Sequence, residues 1–425
     1  MSPWRVRSGR AGPPSPGPTR YEKLFQFVAR RTNAANNASP AQRMVGRAVG
    51  KAMKILWLNH RDIQNPTAGG AERTIHEVAR RLVARGHEVT VLTTGWPGSP
   101  REEWVEGVRI VRFPGSLGPH LALPIFLRRN PKPDAIVDDM AHAIPWGSPW
   151  FARVSGTVFF RHLHRRTLPG QVGPMTARVL AAVERQYPRI YPSSTFVTES
   201  ETSAADLITL GIPKNRILRI PPGVDTETFS PRPKCRDPTL VYFGGLRRYK
   251  RPEHALIVQQ RLRAEGLASR LVVVGSGPML DDLKKDARKL GLEGSVDFRG
   301  RLSVPELSRV VTESWVNVHC SASEGWGYSI MEAAAAGTPT AAYDVPGVSE
   351  AVVHGETGLL VPDGDTAKLA EATRSLLTTQ AEWPARCRRW ASRFSWDDTA
   401  GQWEAHLRRV ASLPRRSDRF PSPEG

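Results

Sequence analysis

Cysteine is scarce in this sequence. Its 425 residues include three, Cys235, Cys320 and Cys387, far apart and odd in number. Such a set makes neither a disulfide framework nor a CxxC metal site, so the thiols read as reduced. Long apolar runs are missing too. Nowhere do about 20 apolar residues follow one another, the length a helix needs to cross a bilayer. The N-terminus lacks the continuous apolar core of a secretory signal, which points to a cytoplasmic chain. Acid is in short supply: 41 Asp and Glu face 60 Lys and Arg, for a net charge of +19. Metal-ligand patterns are equally thin. Asp138 and Asp139 are adjacent rather than spaced as D-x-D, and no His/Cys/carboxylate cluster stands out. The expectation is a protein with no bound metal and no cofactor.

What is present has the ordinary balance of a soluble globular protein, 40% hydrophobic and 24% charged. The length suits two domains with extensions. The basic surplus favours phosphates, anionic lipid or nucleic acid without choosing among them. It is concentrated in residues 1–52, which hold ten Lys or Arg against one acid, Glu22. That segment is rich in Pro, Gly, Ser, Asn and Arg and reads as a disordered extension. Within it, YEKLFQFVARR (21–31) suits a short basic amphipathic turn. Met53 opens a natural first strand, MKILWLN, and is itself a candidate start.

From Met53 the pattern is strand, Gly-containing turn (PTAGGAE), helix and strand. Ile75, Val78, Ala79, Leu82 and Val83 recur at helical spacing. Gly86 closes that helix, and HEVTVLTT follows as a strand. The order implies a parallel sheet with crossover helices. Residues 95–150 read as irregular, and GTVFF (156–160) as another strand. From residue 213, RILRI, LVYFG, RLVVVG, SVDFRG, WVNVHC and PTAAY read as six strands of a second doubly wound unit. The expected fold class is therefore α/β, two Rossmann-like doubly wound domains facing across a cleft. Their spans are 53–212 and 213–385, joined around GIPKNRILRIPPGVD. A helical segment, 386–412, is expected to pack back on the first domain, and 413–425 is expected to form a disordered tail.

The strongest chemical signal is SASEGWGYSIMEAAAAGTP (321–339). A strand ends, a loop follows, and a helix starts near Gly327. Gly325 and Gly327 allow an anion close to the backbone. The N–H groups of Tyr328 and Ser329 then point at it, aided by the helix dipole. That is a place for a diphosphate. Glu332, one turn into the helix, can accept from two neighbouring ribose hydroxyls. Glu324, eight positions earlier, can reach the group beyond the diphosphate.

With these residues in hand, the chain resembles the retaining glycosyltransferases of family 4, which have the GT-B fold. The resemblance covers residues 53 to about 410. It rests on the GGAE turn, PPGVDTETFSP, VVVGSGP, the E-x7-E segment and GVSEAVVHGETGLLV. It implies that Glu332 holds the nucleotide ribose and Glu324 the donor-sugar hydroxyls. It implies that the amides from Gly327 to Ser329 bind the diphosphate, approached by Gly69 and Gly70 from the other domain. Gly300, Arg301 and Leu302 would lie against the base. Lys250 matches a diphosphate-gripping lysine, but the arginine expected near it is Gly245, a departure; Arg247 or Arg248 is left to supply that charge. A histidine beside the reacting sugar corresponds to His162 or His164 in RHLHRR, with His162 preferred, and one alignment places Arg161 there instead.

The resemblance implies transfer of a sugar from a nucleotide-sugar donor to a glycan or lipid-linked acceptor, with retention at the anomeric carbon and without metal. A nucleotide-sugar epimerase of the same architecture is the alternative. VVVGSGP imitates a dinucleotide fingerprint and would argue an NAD-dependent oxidoreductase, but it lacks the third glycine. Nucleic-acid binding, argued from the charge alone, lacks interleaved aromatics and any known module. The basic extension adds an expectation of peripheral contact with the anionic inner face of the cell membrane.

Overall fold

Short apolar strands fully buried on both faces demand helices on both sides of a parallel sheet. The chain builds that arrangement twice. The computed structural model describes residues 51–413 except 153, 155 and 168–171. The expected extension before Lys51 and the tail after Leu413 lie outside the described residues. From Ala52 onward the chain is one compact unit.

The first sheet has eight strands: β1 (Lys54–Leu58), β2 (Glu88–Thr94), β3 (Glu102–Val105), β4 (Val108–Phe113), β5 (Ala135–Met140), β6 (Gly156–Phe160), β7 (Thr195–Thr198) and β8 (Ile217–Arg219). Their order is β3-β4-β2-β1-β5-β6-β7-β8, with β3 antiparallel to β4 at the edge and the remaining pairs parallel. Alternation along β1 sends Ile55 and Trp57 into one core and Leu56 and Leu58 into the other. The second sheet has β9 (Thr239–Phe243), β10 (Arg270–Val274), β11 (Val296–Gly300), β12 (Val316–His319), β13 (Thr340–Tyr343) and β14 (Gly358–Val361), all parallel in the order β11-β10-β9-β12-β13-β14. Strand order reverses beside β1 and β5 in one sheet and beside β9 and β12 in the other. Ligands of such sheets bind at the carboxyl ends of the strands flanking that reversal.

Four helices bear on the site: α1 (Gly70–Ala84), α2 (Gly118–Arg129), α3 (Tyr328–Ala335) and α4 (Trp396–Ala411). The GGAE turn starts α1 by a cap of its own. Glu72 reaches back to accept from the Gly69 N–H at 2.7 Å.

Three expectations need correction. Residues 95–150 are not irregular: they hold the β3–β4 hairpin, α2 and β5. RILRI contributes β8, which pairs with β7 in the first sheet; the sixth strand of the second sheet is GLLV. Residues 386–391 stay with the second core, where Cys387 and Ala391 are buried. Only α4 returns to the first sheet, where Trp403 and Leu407 complete a core face.

The chain thus passes between the halves at 221–225 and again at 392–395. The two passages touch. Val224 N–H donates to the Phe394 carbonyl at 2.9 Å, and a Cβ on Gly223 would stand 2.3 Å from the Trp396 nitrogen.

Trp403 is fully buried, its ring 4.8 Å from Trp57 and 4.9 Å from Phe159. Removing a buried aromatic of this size costs about 3–5 kcal/mol. Trp403→Ala should therefore lower the thermal unfolding midpoint by several degrees; an unchanged midpoint in calorimetry would show that α4 does not hold the first half together.

Candidate active site

The carboxyl ends of both sheets meet across a cleft. On the second half, β12 ends at His319 and a loop carries Glu324 to Gly327, whose φ of +88° starts α3 in a conformation that favours glycine. Glu324 has a lysine and an imidazole beside it. Lys250 donates to it, and the His319 ring nitrogen stands 3.1 Å from the same oxygen. Burial works to raise the Glu324 pKa, but Lys250 and His319 outweigh it and hold the carboxyl well below the usual range. Glu332 is buried one turn into α3 and accepts from Arg73 of α1, a pair that bridges the cleft. Burial raises its pKa, and Arg73 offsets that only partly.

Lys250 meets Glu324 here, Glu332 and Tyr328 meet side chains of the first half, and two of the glycines have structural duties of their own. A Cβ on Gly70 would lie 2.6 Å from the Tyr328 ring, and one on Gly325 would lie 3.1 Å from the Arg161 carbonyl. Those two positions are small because the halves touch there. Arg247 begins the turn whose N–H from Lys250 returns to its own carbonyl at 2.9 Å. Ser329 extends its hydroxyl toward His319 at 3.4 Å. Gly300 has a φ of +62°, and Arg301 beyond it donates across the cleft to the carbonyls of Pro66 and, at 3.3 Å, Ala68. Leu302 packs partly buried on the second core.

The two histidines of RHLHRR keep their rings 4.9 Å apart. His164 is buried and held at 3.0 Å from the Met140 carbonyl. His162 is half-buried. Burial drives its pKa down to about 3, with His164 and Lys250 acting in the same direction and Glu324 opposing. Arg161 is no sugar-facing group. It is buried, with Nη2 2.7 Å from Asp139 and Nη1 2.7 Å from Glu199.

The dinucleotide reading of VVVGSGP fails on space. A Cβ on Gly275 would meet the Gly244 carbonyl at 1.9 Å, and one on Gly277 the Leu246 carbonyl at 2.3 Å. The hollow these glycines make is filled by the chain's own backbone.

Sequence reasoning missed a histidine cluster at the reversal point of the first sheet. His60 follows β1, His142 follows β5, and His120 lies on α2. The His60 ring is 4.3 Å from His142 and 5.1 Å from His120, which stacks on Trp146 at 4.0 Å. Reading residues 95–150 as irregular hid β5, and with it the signal that His60 and His142 share one sheet end. Arg73, Thr74 and Glu199 were missed as well, since nothing in their spacing shows that they face the other half.

Two family models cover most of the chain: glycosyltransferase family 4 over residues 68–228, and glycosyl transferases group 1 over residues 224–393. A D-inositol 3-phosphate glycosyltransferase of Acidothermus cellulolyticus is 30% identical over 388 residues, which is 78% of this chain and 84% of that protein. The chain belongs to the family 4 glycosyltransferases. A glycogen synthase of Mycobacterium tuberculosis is 27% identical over 403 residues, 84% of this enzyme and 94% of that one. The Anabaena HepE structure with UDP-glucose superimposes with a TM-score of 0.68 at 18% identity, over 84% of this enzyme and all of that chain. Both sheets therefore form a GT-B fold, and the enzyme is a nucleotide-sugar glycosyltransferase. The epimerase alternative is not favoured.

The histidine cluster has a consequence for stability. Burial is the main cause that lowers His60 to about 2 and His142 and His120 to about 4. Unfolded histidines take up protons near pH 6.5, so each folded-state depression lends stability above that pH and loses it as pH falls toward the folded values, at up to about 1.4 kcal/mol per pH unit per group. The thermal midpoint should fall steeply between pH 7 and pH 5, and less steeply in a His60→Gln, His142→Gln double variant. A wild-type midpoint that stays level over that range contradicts the burial of neutral imidazoles.

Proposed function

We propose that the enzyme transfers a sugar with retention through a front-face displacement, using the groups around α3. The observation that carries this reading is the pair Glu324 and Glu332, one before and one within the first turns of α3, each drawn to a cation at the cleft. Glu332 holds the ribose once its hydroxyls replace Arg73. The diphosphate lies on the N–H groups of Gly327, Tyr328 and Ser329, which have no partner inside the helix. Lys250 and Arg247 add positive charge as the diphosphate departs. Glu324 takes hydroxyls of the donor sugar, and His162, neutral at pH 7, faces the same sugar from the first half. Gly69 and Gly70 admit the donor to the α1 side, and Gly300, Arg301 and Leu302 border the base. The departing phosphate oxygen accepts the proton of the attacking acceptor hydroxyl. The acceptor enters beside His60, His120 and His142, at the reversal point of the first sheet.

Charge neutralisation by Lys250, Arg247 and helix amides makes a metal unnecessary in this scheme. Among the described residues, no three His, Cys, Asp or Glu side chains converge as ligands. The donor is tested with a panel of UDP-, GDP- and ADP-sugars, since HepE was solved with UDP-glucose. Glu332→Ala should weaken binding of the matching nucleoside diphosphate and cut turnover about 10²-fold, because charge-assisted hydrogen bonds are each worth about 1.5–3 kcal/mol. Unchanged affinity in calorimetry would remove Glu332 from the ribose site. Turnover should persist in EDTA; loss on chelation, restored by Mg²⁺ or Mn²⁺, defeats the metal-free scheme.

A membrane-borne acceptor is supported by the +19 charge and by α2. Leu117, Leu121 and Ile125, spaced by four, are 51%, 76% and 52% exposed, and Arg128 and Arg129 close the same helix. An apolar ridge ending in cations suits the surface of an anionic bilayer. No helix among the described residues is long and apolar enough to cross a membrane. Co-sedimentation with anionic liposomes should weaken with added salt, as charge attraction is screened over about 8 Å at physiological ionic strength. Failure to bind at low salt favours a water-soluble acceptor.

A further inference from the structure

At the ends of β5, β6 and β7 the first half buries two carboxylates with one guanidinium. Asp139 accepts from Arg161 Nε at 3.1 Å and Nη2 at 2.7 Å, and from the Trp57 indole at 3.2 Å. Glu199 accepts from Arg161 Nη1 at 2.7 Å. Asp139, Glu199 and Arg161 are all at most 4% exposed. Arg161 gives Asp139 two N–H groups and Glu199 one, so the buried Glu199 carboxyl needs further donors. They come from two directions. Thr74 of α1 stands 3.4 Å from the same Glu199 oxygen. The Tyr328 hydroxyl, from the first residue of α3 in the other half, donates to that oxygen and also contacts the Thr74 hydroxyl. Burial and Glu199 both push the Tyr328 pKa far up, so the phenol keeps its proton.

The same network seats the neighbouring strand end. The Arg161 carbonyl accepts from Ser203 Oγ at 2.8 Å and lies where a Cβ on Gly325 would come within 3.1 Å. His162 is the next residue. One phenol thus ties the start of α3 to the strand end that carries His162.

We propose that Tyr328 is a positioning residue for the transfer: its hydroxyl, by completing the Asp139–Arg161–Glu199 network of the first half, sets the register between the α3 N-terminus and His162. This rests on the glycosyltransferase reading of the site. Its backbone N–H faces the donor whatever the side chain; the hydroxyl acts through Glu199 and touches no substrate. When donor hydroxyls replace Arg73 on Glu332, the Tyr328 contact is the part of the α1–α3 clasp that remains.

Tyr328→Phe keeps the ring against Gly70 and removes only the hydroxyl. With the donor identified by the panel, kcat should fall 10- to 100-fold. The donor KM, and the Kd of UDP or GDP by calorimetry, should stay within about threefold. Thr74→Val should lower kcat in the same sense, and the Tyr328→Phe, Thr74→Val double variant should be no more than twofold worse than the worse single variant. Small-angle scattering with UDP or GDP bound should give a larger radius of gyration for Tyr328→Phe than for the wild type. A kcat within twofold of wild type overturns the proposal. So does a loss of nucleotide affinity in step with kcat, which would make Tyr328 a binding residue, and so does multiplication of the two single effects. A wild-type enzyme inactive on every donor would instead strike the function reading, before any variant is compared.

Discussion

One guanidinium serves two buried carboxyl groups, and the cleft is organised around the donor that Glu199 still needs. Leaving a buried carboxylate short of donors costs several kcal/mol. The first half supplies Arg161, Trp57 and Thr74; the second supplies Tyr328. Meeting that need from across the cleft requires the backbones to approach closely. That is why Gly70 and Gly325 carry no side chain, each lying where a Cβ would press on the opposing half. Arg73 and Glu332 then fall into contact, because residues 73 and 74 of α1 face residues 328 and 332 of α3, one helical turn apart.

Much of the fold was legible in the sequence, for a physical reason. Parallel strands buried on both faces are continuous apolar runs, and β1, β6, β9 and β10 have that character. Where the pattern misled, it did so through context. RILRI has the composition of a strand but not a label for its sheet. The prolines after it suggested that the linker had already begun, whereas β8 pairs with β7 before the chain crosses. GLLV follows a short helix and a turn and is only partly buried, so its apolar signal is weaker. β5 carries two aspartates, which broke the run although both are fully buried.

The site was legible where chemistry is local and hidden where it is not. Gly327, Tyr328, Ser329 and Glu332 lie within one loop and helix, so their spacing alone placed them together. Lys250 is 74 residues from Glu324 and was found only through the family resemblance; the ion pair in the structure joins them. His162 and His164 are two apart, and sequence left both open; in the structure their rings stand 4.9 Å apart, and His164 alone reaches the Met140 carbonyl. The Asp139–Arg161–Glu199 network spans three strand ends. Its members look like ordinary surface charges until the sheet order is known.

The two chain passages between the halves run side by side, joined by the Val224–Phe394 hydrogen bond. Two adjacent strands of backbone define a line, and relative motion that preserves both of them is rotation about that line. Any opening of the cleft that keeps that hydrogen bond is therefore angular, like a book on a double spine. Gly223 sits on that spine against the backbone of Trp396. A side chain there would displace the axis itself, and every distance across the cleft would shift with it.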